Sequence, residues 1–278
     1  MPELPEVETI ARDLRAAGLP GRVLSCAQVS WPRAVAEPAV EEFCRRLAGR
    51  RIAGVGRRGK FLVIALCGGG ELLLHLRMSG RLELCGPEAA RLPHEHVVFR
   101  FRDGGELRFH DTRKFGRLYL TEDAGRILGR LGPEPLGASF TAASFFRALK
   151  AHRRRIKPLL LDQGFLAGLG NIYTDEALWE AGIHPGRPAD TLSAPEAARL
   201  HRAIRRVLRR GLNNLGTSLG TGQANYYSVG GRRGRNADAL RVFRRTGEPC
   251  PRCRSAIVRI VLGGRGTHFC PACQPEAP

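Results

Sequence analysis

Four cysteines near the C-terminus have the spacing of a metal site. Cys250 and Cys253 form one C-x2-C pair, and Cys270 and Cys273 form a second pair after sixteen intervening residues. Two such pairs are typical of a tetrahedral structural zinc site with four thiolate ligands. The residues between the pairs read as strand, Gly-rich turn and strand, so zinc would stabilise a β-hairpin too small to fold alone. We therefore predict one structural zinc ion; two redox pairs or free thiols are the alternative.

The basic residues indicate a polyanionic partner. The chain of 278 residues has 45 Lys and Arg against 26 Asp and Glu, a net charge of +19. Residues 150–278 carry 22 of the cations and only 9 of the acids. Such a bias favours binding to nucleic acid, because each neutralised phosphate releases counterions. The alternative is a generally basic protein with solvated faces. Chemistry that needs a side-chain amine has four candidates: Lys60, Lys114, Lys150 and Lys157.

The stretch "GLGNIYTDEALW", residues 168–179, predicts a helix that begins after a glycine turn. Asn171 is a natural N-cap, and Asp175 and Glu176 would then lie in the first turn. Backbone N–H groups at such a helix N-terminus are suited to binding one phosphate. An ordinary capped helix without a ligand is the alternative interpretation.

Two further stretches, "LRMSGRL" and "HDTRKFG", stand at the ends of predicted strands. They contain Met78, Arg113 and Phe115, a flexible apolar, a cationic and an aromatic side chain of the kinds that wedge into an unstacked duplex. Taken alone, Met78 and Phe115 are more often core residues. Sequence spacing alone does not show whether the three residues converge.

The elements that would position these residues change along the chain. Near the N-terminus, Val7, Ile10, Leu14 and Ala17 share one helical face that stops at Gly18. Residues 22–119 consist of short alternating runs, which predict a β-sandwich or flattened barrel. After residue 141 the pattern becomes helical, and Ser193 and Glu196 have capping-box spacing before a long apolar stripe. The fold class predicted is α+β.

The boundary between the two patterns falls in "LGPEPLG", residues 131–137, where two prolines interrupt both. Residues 216–239 form a Gly-rich stretch that neither helix nor strand rules claim, and a loop of that length is usually functional or disordered. No apolar run approaches the roughly 18 residues of a membrane span, and the N-terminus does not resemble a signal peptide. We therefore expect a cytoplasmic protein.

Seven blocks together resemble the formamidopyrimidine-DNA glycosylases, bacterial enzymes that remove oxidised purines. In order from residue 2 to residue 274 they are "PELPEVET", "RRGKFL", "HLRMSGRL", "DTRKFG", "LGPEPL", "GLGNIYTDEALWEAGIHP" and "GEPCPRC…GRGTHFCPACQ". The resemblance implies an N-terminal helix with a β-sandwich, then a helix-two-turn-helix domain and a zinc-finger hairpin, with DNA in the cleft between the domains. The expected limits are 1–131 for the catalytic domain, 132–137 for the linker, 138–240 for the helical domain and 241–274 for the finger.

The resemblance also implies a mechanism that these residues can support. Removal of the initiator methionine would leave Pro2 as a secondary amine, which can attack C1′ of a damaged nucleoside and form a Schiff base. Glu3 is similar to the family's general acid and base, with Glu6 in support. Lys60 matches the lysine that contacts the phosphate beside the lesion and assists β-elimination. Arg265 matches the zinc-finger arginine of δ-elimination.

The remaining site residues follow from the matched blocks. Met78, Arg113 and Phe115 match the residues that fill the gap left by the flipped nucleotide. The expected partner is double-stranded DNA with oxidised bases or abasic sites, bound by a monomer in the cytoplasm at the bacterial nucleoid. The other expected DNA contacts, besides Glu6, are His94, Arg113, Asn171 and Arg153.

One segment departs from the family pattern. Where the family usually has a short Asp-aromatic run that embraces the everted base, this chain reads "GTGQANYYSVGGRRGRNADA", residues 220–239. This change leaves lesion preference open. An oxidised-pyrimidine glycosylase of the endonuclease VIII type shares the architecture, although "PELPEVET" favours the purine enzyme. A non-catalytic lesion-binding zinc protein is the other alternative, and intact Pro2, Glu3 and Lys60 argue against it.

Overall fold

The chain divides into two compact units. The structure is a computed structural model that describes residues 1–220 and 226–276. The first unit comprises Met1–Arg130 with Leu212–Ala237, and the second comprises Leu131–Gly211 with Asp238–Pro278. The sequence predicts a helical domain over 138–240, whereas segment 212–237 groups with the first unit.

The first unit begins with helix α1, Leu4–Ala16. Pro5 lies in its first turn, where a missing N–H removes no helical hydrogen bond. Val7 and Leu14 are fully buried on the face that packs into the core. Gly18 has φ +72° and follows the end of the helix. Ala17, which the sequence predicted on the buried face, lies beyond the helix and is exposed.

Nine strands, two short α-helices and a single-turn 3-10 helix at Pro32–Ala34 follow α1 within residues 17–130 of the first unit. The strands and α-helices are β1 (Leu24–Val29), β2 (Val35–Glu37), α2 (Val40–Leu47), β3 (Ile52–Arg58), β4 (Phe61–Leu66), β5 (Glu71–His75), β6 (Gly80–Cys85), β7 (Glu95–Phe101), β8 (Glu106–Asp111), β9 (Arg117–Thr121) and α3 (Gly125–Leu128).

These strands form two sheets, and the predicted β-sandwich is confirmed. One sheet has the order β1-β7-β8-β6 and the other β2-β9-β5-β4-β3. Along β4 the residues alternate between half-buried and buried, so that Leu62, Ile64 and Leu66 point into the core. Residues from both sheets and from α1 share one hydrophobic cluster. The sandwich and α1 therefore fold as one body.

Segment 212–237 belongs to this unit because it is bonded to α1. The Thr217 N–H donates to Glu6 Oε1 at 2.7 Å. Tyr226 is only 3% exposed within the core cluster, and its hydroxyl donates to the Glu6 carbonyl at 3.4 Å. The Arg232 guanidinium pairs with Asp13 at 2.7 Å. The described residues before and after 221–225 are thus both attached to the N-terminal helix. Residues 221–225 lie outside the described residues.

The second unit is mainly helical and carries a β-hairpin. Ser193 precedes the long helix, and its N–H donates to Glu196 Oε2 at 2.8 Å, as the capping-box spacing predicted. None of the helices in the described residues is long and apolar enough to cross a membrane. The elements are α4 (Ala142–Lys150), α5 (Ile156–Leu161), α6 (Asn171–Ala181), α7 (Ala194–Asn213), β10 (Val258–Leu262) and β11 (Arg265–Phe269).

A buried ion pair joins α5, α6 and the hairpin. Lys157 Nζ lies 2.6 Å from Asp175 Oδ1, and neither side chain is exposed. Lys157 Nζ also donates to the Gly266 carbonyl at 2.9 Å. The other carboxylate oxygen of Asp175 accepts the His268 N–H at 2.9 Å. The hairpin strand β11 is therefore held on the helices by polar contacts to two fully buried side chains.

Replacement of one partner should destabilise this unit strongly. Lys157→Met would leave the Asp175 carboxylate buried without its cation, and we expect a loss of about 3–5 kcal/mol in the free energy of unfolding. Lys150→Met is the matched control, because Lys150 is exposed; it should cost less than about 1 kcal/mol. Denaturant titration followed by circular dichroism would measure both. Equal losses for the two variants would contradict the prediction.

Candidate active site and zinc centre

The extreme N-terminus is fixed by one carboxylate. Pro2 is buried, and Glu3 is only 2% exposed. Glu6 Oε2 accepts the Glu3 N–H at 2.8 Å, while Glu6 Oε1 accepts the Thr217 N–H at 2.7 Å. Gly216, with φ +85°, lets this close approach occur, since a Cβ there would lie 2.9 Å from Glu6 Cγ. Glu6 thus joins the start of α1 to segment 212–237.

Lys60 occupies a short hairpin turn beside α1. Arg58 and Phe61 pair across β3 and β4, so Gly59 and Lys60 alone form the connection. Gly59 takes φ +56°, as the first position of a two-residue hairpin turn requires in type I′ and II′ turns. The Arg57 guanidinium donates to the Gly59 carbonyl at 2.9 Å and to Glu8 of α1 at 3.3 Å. These bonds restrict the backbone from which the buried Lys60 side chain projects.

A neutral histidine lies next to Lys60. His75 pairs with Phe61 across β4 and β5, and the two rings meet edge-on with centroids 4.7 Å apart. Burial, together with the charges of Arg77 and Lys60, lowers the pKa of His75 to about 3. The Arg77 N–H donates to His75 Nδ1 at 3.1 Å. His75 is therefore uncharged at neutral pH.

The predicted gap-filling residues lie on two adjoining turns. Met78 is half-buried in the turn between β5 and β6, and Arg113 and Phe115 are exposed in the turn between β8 and β9. The Arg113 N–H donates to Ser79 Oγ at 3.1 Å, which brings the two turns together. The Arg113 guanidinium carbon lies 5.0 Å from the centroid of Phe115. Since Phe115 is 48% exposed, the alternative that it is a core residue is wrong.

His94 lies beside these turns and is exposed, just before β7, with φ +69°. Arg153 is also exposed, between α4 and α5 of the second unit. The predicted N-cap role of Asn171 is wrong: Gly170 is the N-cap and Asn171 is the first helical residue. The Asn171 amide instead donates to the Gly266 carbonyl at 2.9 Å, so its side chain orients the hairpin.

The four predicted zinc ligands converge. Their Sγ atoms all lie within 4.8 Å of one another, with Cys250 and Cys273 3.9 Å apart and Cys253 and Cys270 3.4 Å apart. Tetrahedral zinc with Zn–S bonds of about 2.3 Å needs sulfurs about 3.8 Å apart. The four thiols therefore fit one zinc ion.

The thiols also show why a cation is needed here. Hydrogen bonds from Ser255 lower the pKa of Cys253 to about 6, whereas burial and its sulfur neighbours raise the pKa of Cys273 to about 12. Four such close sulfurs ionise together only with a compensating cation, and bound zinc deprotonates its thiol ligands. The Trp179 indole N–H donates to Cys250 Sγ at 3.4 Å, which attaches the cluster to α6.

Arg265 projects from the hairpin that this cluster holds. It is exposed at the start of β11, directly after Gly263 and Gly264, which have φ +54° and +71°. Its neighbour Gly266 is the residue whose carbonyl accepts from Lys157 and Asn171. The predicted elimination arginine therefore stands on a backbone that is fixed at the next residue.

Sequence reasoning missed three residues that organise these sites. His75, Asp111 and Thr217 are buried and bond to the segments that carry the predicted residues. His75 and Asp111 lie within or beside blocks already singled out, "HLRMSGRL" and "HDTRKFG", and a polar residue at the end of an apolar strand was the available signal. Thr217 acts through its backbone N–H, for which the sequence offers no signal.

Family models match three consecutive parts of the chain. They are the N-terminal domain of formamidopyrimidine-DNA glycosylase at residues 1–118, the H2TH domain of the same enzyme at residues 131–222, and a zinc finger found in FPG and IleRS at residues 247–275. A curated relative from Protochlamydia amoebophila, named formamidopyrimidine-DNA glycosylase, is 45% identical over 276 residues, which is 99% of this chain and 100% of the relative.

Solved structures agree over the same length. A complex of a mutant Lactococcus lactis Fpg with Fapy-dG-containing DNA aligns with a TM-score of 0.91 and 37% identity, covering 99% of this chain and 100% of that one. A complex of Lactococcus lactis Fpg with DNA containing an abasic site gives 0.90 and 36%, with the same coverage. The match extends through both units and the zinc finger, and the chain therefore belongs to the formamidopyrimidine-DNA glycosylase family.

Proposed function

We propose that this protein is a bifunctional DNA glycosylase and AP lyase of base-excision repair that excises oxidised purines, such as 8-oxoguanine and formamidopyrimidines, from double-stranded DNA. The observation that carries the proposal is the buried N-terminal segment, in which Glu6 fixes Glu3 directly after Pro2. Relatives that match over nearly their full length are named formamidopyrimidine-DNA glycosylase. The solved complex with Fapy-dG-containing DNA supports the choice of oxidised purines.

Pro2 is the proposed nucleophile. Once the initiator methionine is removed, its secondary amine attacks C1′ of the damaged nucleotide, the bond to the base breaks, and the sugar ring opens to an iminium on the proline nitrogen. An ordinary α-amine has a pKa of about 8 against about 10.4 for a lysine side chain. More of the terminal amine is therefore unprotonated at neutral pH, which favours Pro2 over Lys60 as the attacking group.

Glu3 is the proposed general acid and base. It is adjacent to Pro2 in the chain and almost fully buried, so its carboxyl group can exchange protons with the amine and the opening sugar while water is largely excluded. Lys60 provides the cation for the phosphate beside the lesion and assists β-elimination. Arg265, exposed at the hairpin tip, binds phosphate and assists δ-elimination, which releases the sugar from its second phosphate.

The remaining contacts hold the damaged duplex. Met78, Arg113 and Phe115 fill the gap left by the everted nucleotide, and the proximity of Arg113 and Phe115 supports a joint role. His94, Arg153 and Asn171 are proposed contacts to DNA. Because the Asn171 amide is bonded to Gly266, its contact to phosphate is assigned to the helix N-terminus rather than to the side chain.

The segment 220–239 is the proposed determinant of lesion preference. Its described residues are attached to α1 through Tyr226 and Arg232, while residues 221–225 lie outside the described part of the chain. Zinc, when bound to the four cysteines, supplies no catalytic step and stabilises the hairpin that presents Arg265. We propose that the protein works as a monomer in the cytoplasm, on the DNA of the bacterial nucleoid.

Borohydride reduction should trap the iminium on Pro2. With duplex DNA that carries 8-oxoguanine opposite cytosine, we expect a covalent adduct whose peptide map places the DNA on Pro2. Glu3→Gln should slow base excision by about 10²-fold or more, whereas Glu41→Gln, which changes an exposed acid on α2, should leave the rate unchanged.

An adduct on lysine would overturn Pro2 as nucleophile. DNA binding without any adduct would favour a lesion-binding protein, and excision of oxidised pyrimidines alone would favour the endonuclease VIII type.

Blocking the N-terminus should abolish base excision. A chain that retains Met1, or carries an N-terminal extension, has an amide at Pro2 in place of the amine, so no Schiff base can form. The readout is single-turnover excision together with DNA affinity. The same extension placed at the C-terminus is the control and should be active. Normal excision by the blocked chain would disprove the assignment of Pro2.

Loss of one zinc ligand should weaken DNA binding. We expect Cys250→Ala to release the metal and to raise the Kd for duplex DNA, because the hairpin that presents Arg265 is no longer stabilised by zinc. Cys67→Ala removes an exposed cysteine far along the chain from the cluster and is the control. Metal content is measured with a colorimetric chelator and affinity by fluorescence anisotropy. A variant with full metal content and unchanged affinity would refute a structural zinc site at these cysteines.

A further inference from the structure

Asp111 is a buried carboxylate with no assigned role. It ends strand β8 and has no exposed surface. Its Oδ1 accepts hydrogen bonds from the Ser79 hydroxyl and, at 3.2 Å, from the Arg113 N–H. Its Oδ2 accepts the Gly116 N–H at 2.6 Å. One carboxylate thus bonds to the β5–β6 turn and to both sides of the β8–β9 turn.

The backbone of Asp111 extends this arrangement to a third segment. Its N–H donates to the His94 carbonyl at 3.0 Å, and its carbonyl accepts the Lys114 N–H at 3.2 Å. The same carbonyl lies 2.8 Å from His96 Nε2. The segments that carry His94, Met78, and Arg113 with Phe115 therefore meet at one residue.

We propose that Asp111, with Ser79 as its relay, is a positioning residue that holds Met78 and the Arg113–Phe115 pair in a single arrangement, so that they enter the duplex together when the damaged nucleotide is everted. Asp111 does not touch DNA in this proposal. The inference rests on the proposed function, because it needs these side chains to fill the gap.

The two turns need such a constraint. Phe115 is 48% exposed and Met78 is only half-buried, so packing alone does not fix them. Arg77 and Lys114, each next to a gap-filling residue, have φ +53° and +58°, a conformation that is strained for residues other than glycine. Hydrogen bonds from backbone N–H groups to a buried carboxylate are charge-assisted and strong enough to offset such strain.

Close packing restricts the same turns further. A Cβ on Gly116 would lie 2.3 Å from Phe109 Cζ and 3.1 Å from Asp111 Oδ2, and a Cβ on Gly80 would lie 2.4 Å from the Leu76 carbonyl. The β8–β9 turn can therefore approach Asp111 only because residue 116 is glycine, and the β5–β6 turn can close tightly only because residue 80 is glycine. Asp111 accepts its side-chain hydrogen bonds from a hydroxyl and from backbone N–H groups of these two turns, whereas the carboxylate of an ion pair faces a cationic side chain.

The isosteric variant Asp111→Asn tests the proposal. An amide offers one acceptor oxygen, so either the Ser79 and Arg113 side or the Gly116 side loses its acceptor and faces a donor instead. With 2-aminopurine opposite the lesion, wild-type binding should raise the fluorescence as the gap is filled, and Asp111→Asn should reduce this rise by at least half. Single-turnover excision of 8-oxoguanine should fall at least tenfold.

A second substrate separates positioning from general loss of structure. An abasic nucleotide has no base to unstack and is the easiest to evert, so borohydride trapping on preformed abasic DNA should change by less than threefold in Asp111→Asn. Equal losses on both substrates, or an unchanged fluorescence rise, would overturn the proposal. A wild-type protein that forms no adduct on either substrate would instead overturn the proposed function.

Two further variants complete the experiment. Ser79→Ala removes the relay and should reproduce the selective loss, while Ser79→Thr keeps the hydroxyl and should restore activity; these variants decide the matter if Asp111→Asn does not fold. Asp103→Asn is the matched control, since Asp103 also accepts a backbone N–H, that of Gly105, but in the exposed turn between β7 and β8. A selective loss in the control as well would contradict a role specific to Asp111.

Discussion

The pair of hydrogen bonds accepted by the Glu6 carboxylate is the interaction on which the start of α1 and segment 212–237 depend. Each of its oxygens accepts one backbone N–H, from Glu3 at one side and from Thr217 at the other. The side chain is 1% exposed, so water does not compete freely for either bond, and loss of either would remove a buried hydrogen bond. Burial, together with the negative charge of Glu6, raises the pKa of Tyr226.

Buried carboxylates that accept backbone N–H groups also occur elsewhere in this strongly basic protein. Glu176 accepts the N–H groups of Arg241, Val242 and Phe243 at 2.9–3.0 Å, which attaches the segment before the zinc finger to α6. In the same way, Asp175 accepts the His268 N–H and attaches β11 to α6. Several buried acids thus bind backbone in both units and set the paths of loops, while many of the arginines remain exposed.

The sequence was sufficient for the patterned elements and for residues with distinctive chemistry. Apolar spacing predicted α1 and α7, strand alternation predicted the sandwich, and cysteine spacing predicted the metal cluster. It was insufficient where a residue acts through backbone atoms or across long separations. Asn171 has the type of an N-cap, yet its amide is recruited by Gly266, 95 residues away. The Glu6–Thr217 bond joins residues 211 apart, and such a contact depends on how the whole chain folds.

The return of residues 212–237 to the first unit has a consequence for the order of folding during synthesis. The sandwich strands lie before residue 130 and can pair while the ribosome is still adding the helices. The acceptor pair on Glu6, in contrast, is complete only when Thr217 has been made and has left the ribosome. Domains fold as their residues emerge. Here a hydrogen bond of the N-terminal helix forms only with Thr217, which is made much later. A nascent or truncated chain that lacks Thr217 therefore carries the sandwich strands without the hydrogen bond that joins the start of α1 to segment 212–237.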